Sequence, residues 1–233
     1  MNTFTFNGVS SSSFNIKVEK CPDYGVPNRV IVSVPVMGRN GDLIMDTGAY
    51  SNVDQTYSIY FNAKSTSFQD DAHKIATWLN GTRGYCRLED TYDPNIYRMA
   101  VMSSYHEYKN FLNYMGRADV TFNCKPQRFL KSGEIESAIT SGVDIQNDYM
   151  PCYPIFKITG NGTFVLNGNS VAVANNLNKT LILDCETQNA YTGTQNRNGD
   201  IYITGEFPYL ESGTNEVTFN NASVTMIPRW WTL

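Results

Sequence analysis

The feature that most constrains this chain is a period-two alternation of apolar residues that recurs along its length. Phe14, Ile16 and Val18 alternate with Asn15, Lys17 and Glu19, and Val30, Val32, Val34 and Val36 repeat the pattern. Tyr57, Ile59 and Phe61 continue it, as do Val120, Phe122 and Cys124. Successive side chains of a strand point to opposite faces, so each run predicts a strand with one face in a core and one in water. The turn formers Gly38-Arg39-Asn40-Gly41-Asp42 separate the valine run from Leu43-Ile44-Met45, and the pair reads as a hairpin with an Asn-Gly turn. One segment changes period. Phe68, Ala72, Ile75, Ala76 and Leu79 recur at helical spacing, opened by Ser67 with Asp70 three residues later and closed by Gly81, which predicts one amphipathic helix of about three turns. A second, shorter helical piece is expected within residues 105–115.

Composition supports the β reading. Charged residues are 17% of the chain against about 25% in an average soluble domain. Much of the polar surface must then come from Asn, Ser, Thr and Tyr, and the 15 Tyr and 12 Phe suit pleated, half-buried surfaces. At 233 residues, two domains are the ordinary arrangement. Between residues 126 and 154 apolar density falls, with Lys131-Ser132-Gly133-Glu134, Thr140-Ser141-Gly142 and Gln146-Asn147-Asp148, so a boundary belongs there. The expected division is an N-terminal domain over 1–135, a linker over 136–150 and a C-terminal domain over 151–233. The last part reads as short strands only, at Ile155-Phe156-Lys157-Ile158, Thr163-Phe164-Val165-Leu166, Leu181-Ile182-Leu183, Ile201-Tyr202-Ile203, Val217-Thr218-Phe219 and Val224-Thr225-Met226-Ile227. That spacing predicts a sandwich or jelly roll. The fold class is therefore mostly β.

Several functions are disfavoured. A net charge of −4 does not suit a dedicated nucleic-acid binder. No apolar run reaches membrane-spanning length, and the first residues carry neither a basic nor an apolar leader region, so synthesis in a cytoplasm is expected. The five cysteines, Cys21, Cys86, Cys124, Cys152 and Cys185, are far apart and read as free, partly buried thiols without a metal or cofactor role. The acidic groups Asp70-Asp71, Glu89-Asp90 with Asp93, and Glu134 with Glu136 lack ligand spacing and read as solvated faces.

One motif has catalytic form. Leu43-Ile44-Met45-Asp46-Thr47-Gly48-Ala49 resembles the segment with which retroviral-type aspartic proteases present a carboxylate. That chemistry needs two carboxylates sharing a proton, and the chain holds one such motif. Asp46, Thr47 and Gly48 read more simply as a turn after a strand. Trp230-Trp231 suggests either a sugar-stacking platform or, more economically, a final strand docking onto the core. A stand-alone carbohydrate-binding module and a protease are thus the competing readings, and neither is preferred.

Other stretches resemble the distal tail protein (Dit) family of phages and prophages of Gram-positive bacteria, nearly end to end. They are Phe6-Asn7-Gly8-Val9-Ser10-Ser11, Phe14-Asn15-Ile16, Gly38-Arg39-Asn40-Gly41-Asp42-Leu43 with Asp46-Thr47-Gly48, and Tyr97-Arg98-Met99-Ala100. The most specific runs from Phe122-Asn123-Cys124-Lys125-Pro126-Gln127 through Arg128-Phe129-Leu130-Lys131-Ser132-Gly133-Glu134. Pro154-Ile155, Gly160-Asn161-Gly162, Asp184-Cys185-Glu186, Phe207-Pro208-Tyr209-Leu210, Gly213-Thr214-Asn215 and Pro228-Arg229-Trp230-Trp231-Thr232-Leu233 complete it. Glu206 stands where Asp is expected, and residues 140–151 fit poorly.

The resemblance implies an N-terminal β-sandwich with one helix and a hairpin, forming a hexameric ring, and a C-terminal galectin-like sandwich outside it. It implies a structural protein of the virion tail tip rather than an enzyme. Its partners would be the tail tube protein, the tail-associated hub or lysin protein and receptor-binding or other baseplate proteins. Double-stranded DNA would pass through the channel without specific binding, and no membrane or cofactor would be involved. Within that reading the hairpin and helix are the projecting elements, so Val32, Val34, Leu43, Met45, Phe68 and Ile75 are the expected ring contacts.

Overall fold

The computed structural model describes residues 2–62, 68–105, 109–111, 115–174 and 180–233. It is mostly β, as the alternation requires, and the one α-helix among the described residues is Phe68–Asn80. The chain divides into two compact units, Met1–Arg128 with Leu233 and Phe129–Thr232.

The first unit is built on one curled sheet in the order Val9–Ser10, Phe4–Phe6, Cys86–Asp90, Ile96–Tyr105, Met115–Leu130, Val53–Asn62, Ile16–Val18. Met115–Leu130 pairs antiparallel with Val53–Asn62 from Met115↔Asn62 to Cys124↔Val53 without a break in register. That register turns Tyr57, Ile59, Phe61, Val120, Phe122 and Cys124 inward, and all are buried. The two ends of the sheet are stitched together: Ser11 Oγ accepts from the Phe4 amide (3.2 Å) and donates to the Ile16 carbonyl (3.4 Å), and the Val18 amide donates to the Asn2 carbonyl (3.0 Å). Closure in this way satisfies edge groups that would otherwise be open. The helix lays Ala72, Ile75 and Leu79, one stripe at i, i+3 and i+7, onto the core. Rings fill the middle, with Phe4 stacked on Tyr57 at 5.1 Å and Phe6 tilted on Phe122 at 4.9 Å between centroids. Each such side chain contributes about 1.5–3 kcal/mol through burial.

The helical expectation for residues 105–115 is corrected. Ile96–Tyr105 and Lys109–Phe111 are strands, the latter pairing Met115–Leu130 through Met115↔Phe111, while 106–108 and 112–114 lie outside the described residues. Lys109–Phe111 has a ladder to join, and tertiary pairing overrides a weak helical pattern. Ser67, the expected helix cap, also lies outside the described residues.

The second unit contains two facing sheets. One runs Ser137–Ala138, Ala222–Ile227, Ile155–Gly160, Thr180–Asp184, Asn189–Thr192, Gln195–Asn196; the other runs Ile201–Thr204, Asn169–Val173, Thr163–Leu166, Val217–Phe219. Their inner faces supply Phe156, Ile158, Phe164, Leu166, Val171, Leu181, Leu183, Val217, Val224 and Met226 to one core, which is sandwich packing. Residues 136–150 are part of this unit rather than a free linker. Ser137–Ala138 pairs Ala222–Ile227, Ile145–Asn147 pairs Gly213–Asn215, and Ile139 and Ile145 pack on the core. The segment lacks apolar density because edge strands bury few side chains, yet its backbone is bonded.

The C-terminal tryptophans dock onto this core. Trp231 Nε1 donates to the Pro151 carbonyl (2.9 Å), and the Trp230 ring lies 6.0 Å from Tyr149. The turn Lys131–Glu134 meets them directly: the Arg229 amide donates to the Gly133 carbonyl (2.8 Å), and the Leu130 amide to the Trp230 carbonyl (2.9 Å). A Cβ at Gly133 would stand 2.3 Å from the Trp230 amide nitrogen. Arg229 passes through the left-handed region at φ 58° and forks onto Asp184 with contacts of 2.7 and 3.1 Å. All five cysteines are free thiols, with Cys124, Cys152 and Cys185 buried.

Gly133→Ala should therefore lower stability by about 1–3 kcal/mol, because the methyl meets backbone that cannot give way; an unchanged urea midpoint would contradict this packing. The Asp184 carboxyl titrates below its ordinary range: burial alone would raise it, but hydrogen bonds from Arg229 and its charge outweigh that. A depressed acid stabilises the fold above its unfolded pKa, about 3.9, and loses that contribution as pH falls through the folded value. Asp184→Asn should cost about 1–3 kcal/mol at pH 7. Its deficit should shrink below about pH 4, measured as urea midpoints of both forms from pH 7 down to pH 3.

Candidate functional site

Among the described residues, the hairpin of the first unit pairs with no other strand. Arg29–Val34 pairs Leu43–Tyr50 alone, in the register Val34↔Leu43, Ser33↔Ile44, Val32↔Met45 and Ile31↔Asp46. Asn40 and Gly41 sit within the longer connection 35–42 rather than forming a two-residue turn, with Gly41 at φ 82° where a side chain would strain. Alternation predicts that one face of the valine strand meets a core. Instead Val32, Val34, Leu43 and Met45 are 47%, 39%, 43% and 56% exposed. The register places these four on one face as two cross-strand pairs. The opposite face carries Ile31 and Ile44, also exposed, beside the Ser33 hydroxyl donating to Asp42 and the Arg29–Asp46 ion pair.

A two-stranded ribbon is marginal in water on its own, and one that exposes apolar side chains on both faces needs cover. The signal for the second face was present in the sequence. Val30-Ile31-Val32 and Leu43-Ile44-Met45 are continuous apolar runs, which mark strands buried on both sides.

The helix does not share in this surface as expected. Ile75 is fully buried in the core of the first unit, because the helix turns its apolar stripe inward, and its side chain is not on this surface. The side chain of Phe68 lies outside the described residues.

Asp46, Thr47 and Gly48 lie inside the strand Leu43–Tyr50, where the register shifts between Ile31↔Asp46 and Arg29↔Tyr50. They form a bulge rather than a turn after the strand, since the second strand carries more residues than its partner over this stretch. The Gly48 amide donates to Asp46 Oδ1 (2.9 Å), Thr47 Oγ1 donates to the Val30 carbonyl (2.6 Å), and Gly48 takes φ 73°. Asp46 thus has a guanidinium and an amide as partners, where protease chemistry requires a second carboxylate. Among the described residues no group of three His, Cys, Asp or Glu could hold a metal ion.

Asp90 is not on a solvated face. It is buried, and its two oxygens accept from Tyr24 Oη, Tyr57 Oη (2.8 Å) and the amides of Tyr92 and Asp93 (both 2.9 Å). Burial, then the neighbouring carboxylate, pushes both phenols up, so they remain donors.

Comparison with known proteins gives a likeness of fold. No family model and no curated protein sequence matches the chain. The crystal structure of the Dit (gp 19.1) protein of phage SPP1, described as a paradigm of the hub adsorption apparatus in phages infecting Gram-positive bacteria, matches with a TM-score of 0.75 at 10% identity, covering 97% of this chain and 98% of that one. The fold is that of Dit. A chain of the phage P2 baseplate in its activated conformation with calcium matches with a TM-score of 0.51 at 8% identity, over 97% of each chain. The strontium form of that baseplate gives 0.50 at 8% identity, again over 97% of each chain. The Dit fold therefore spans both units, and at this identity it is the architecture, not side-chain chemistry, that is shared.

Asp46→Asn should leave the chain folded with a near-unchanged unfolding midpoint, since an exposed ion pair contributes little. Neither form should cleave peptides at acid pH; pepstatin-sensitive proteolysis by the unsubstituted chain, lost in the variant, would overturn the bulge reading.

Proposed function

We propose that this chain is a structural distal tail protein of a long-tailed phage or prophage. In this reading copies of it form a hexameric ring that joins the tail tube to the tail-tip hub and anchors host-adsorption proteins. The observation that carries the reading is the exposed hairpin face, Val32 and Val34 against Met45 and Leu43, within a fold shared end to end with SPP1 Dit. An apolar face that is exposed among the described residues is stabilised by burial against a second chain. When the face on one copy meets a different surface on the next, the contact is heterologous, and such contacts close into rings.

The first unit supplies this face and the second would be free for other baseplate proteins. A ring at a tail tip must pass duplex DNA, about 20 Å across. The chain's net charge of −4 suits passage, since dense Lys and Arg would hold phosphates. Such a protein works in the virion tail tip after synthesis in the host cytoplasm, and its action is architectural rather than enzymatic.

Light scattering after size exclusion should report hexamers, or monomers that assemble as concentration rises or as tail tube and hub proteins are added. The double variant Leu43→Asp, Met45→Asp changes exposed positions only, so it should keep the circular dichroism of the unsubstituted chain and fail to assemble. Assembly unaffected by these charges, or an unsubstituted chain that stays monomeric with both partners present, would refute the proposal.

A further inference from the structure

A cleft in the first unit holds a buried guanidinium with an unused donor. Arg98 is 5% exposed, and its Nη2 has no hydrogen-bond partner among the described residues. Its neighbour Asp90 does not supply one, because Tyr24, Tyr57 and the amides of Tyr92 and Asp93 already occupy that carboxylate. Arg98 instead stacks on the Tyr24 ring, 4.6 Å from its centroid. A buried charged donor without an acceptor is costly, so the native molecule is expected to provide one.

The lining of the cleft beside it includes Gly25, Gln55, Arg98, Cys124, Lys125 and Arg128, and its volume is about 10 Å³, room for one oxygen-sized atom. Its floor is buried at Gln55, Arg98 and Cys124, and its rim is exposed at Gly25 and Lys125. Three cationic residues therefore line a space for a single oxygen, with the Lys125 ammonium at the rim over the Tyr85 ring, 5.2 Å from its centroid. Gln55 Nε2 and Arg128 Nη2 are already used, on the Asp23 and Gly25 carbonyls. Of the acids nearby, Asp54 accepts from Asn123 Nδ2 (2.9 Å) and Asp93 acts on Arg128.

We propose that this cleft is a carboxylate-binding site. One carboxylate oxygen enters the floor and accepts from Arg98 Nη2, while the second stays at the rim within the field of Arg128 and Lys125. A guanidinium and a carboxylate make short, charge-assisted bonds, and the small floor admits one oxygen of a planar group. The carboxylate comes either from solution or from an acidic side chain of a neighbouring protein chain. The site is independent of the hairpin face, so the isolated chain suffices to test it.

Acetate titrated into the full-length chain at constant ionic strength, with chloride as the control, should raise the thermal midpoint by about 2–4 °C more than chloride does. Arg98→Met should abolish that difference. If Arg98→Met does not fold, Lys125→Met, at an exposed position, should weaken the apparent acetate affinity about 2–5-fold. Carbodiimide coupling of Lys125 in assembled material separates the sources: a cross-link to a second chain identifies a protein carboxylate, and acetate binding without one identifies a free anion. Equal midpoints in acetate and chloride, or a high-resolution structure in acetate with only a water against Arg98 Nη2, would overturn the proposal.

Discussion

The ladder between Met115–Leu130 and Val53–Asn62 is the constraint on which the first unit depends. A slip of one residue by Val53–Asn62 against its partner would send Tyr57, Ile59 and Phe61 to the face opposite Val120 and Phe122, since side chains alternate with period two. The consequences run outward from Tyr57. Its ring packs on Phe4, its phenol donates to Asp90, and Asp90 also takes the phenol of Tyr24. Tyr24 lies just before the hairpin, whose root closes where the Ser51 amide donates to the Asn28 carbonyl (2.9 Å). The core register thus reaches the root of the hairpin through two phenol–carboxylate hydrogen bonds and the covalent chain from Tyr24 to Asn28.

Most strands were legible because alternation is a local signal. Residues 57–61, 120–124 and the strands beyond 154 follow their apolar pattern into buried faces. Where the reading departed, the deciding information was not local. The valine run said that a face needs cover, and the pattern is the same whether that cover comes from the same chain or another. Residues 136–150 looked like a linker because their stability rests on backbone bonds such as Ile139 amide to Val224 carbonyl (3.1 Å) and Gly142 amide to Val217 carbonyl (2.9 Å). Asp90 and Arg98 look like surface charges in sequence, and only the fold brings two phenols to one and an aromatic ring to the other.

The hairpin shows how a hazard and a function can share one element. Two open strand edges and apolar side chains on both faces invite indiscriminate pairing. The Asp46–Gly48 bulge adds twist, and the Arg29–Asp46 pair puts charge on one face, both of which disfavour flat stacking of identical ribbons. What remains attractive is the single face of Val32, Val34, Leu43 and Met45, so the element is selective about geometry while undemanding about chemistry. The tie between Gly133 and Trp230 belongs to the same economy of form. The turn of the most specific Dit-like stretch and the closing tryptophans lie back to back in the second unit, where only a glycine fits.

Burial pushes the thiols of Cys124 and Cys152 up to about 12 and that of Cys185 higher still, so none is a nucleophile while its unit stays closed. Cys124 lies in the first core, and Cys152 and Cys185 lie in the second. The molecule therefore carries a built-in clock in each unit: the rate at which an alkylating reagent claims each buried sulfur measures how often that unit breathes open.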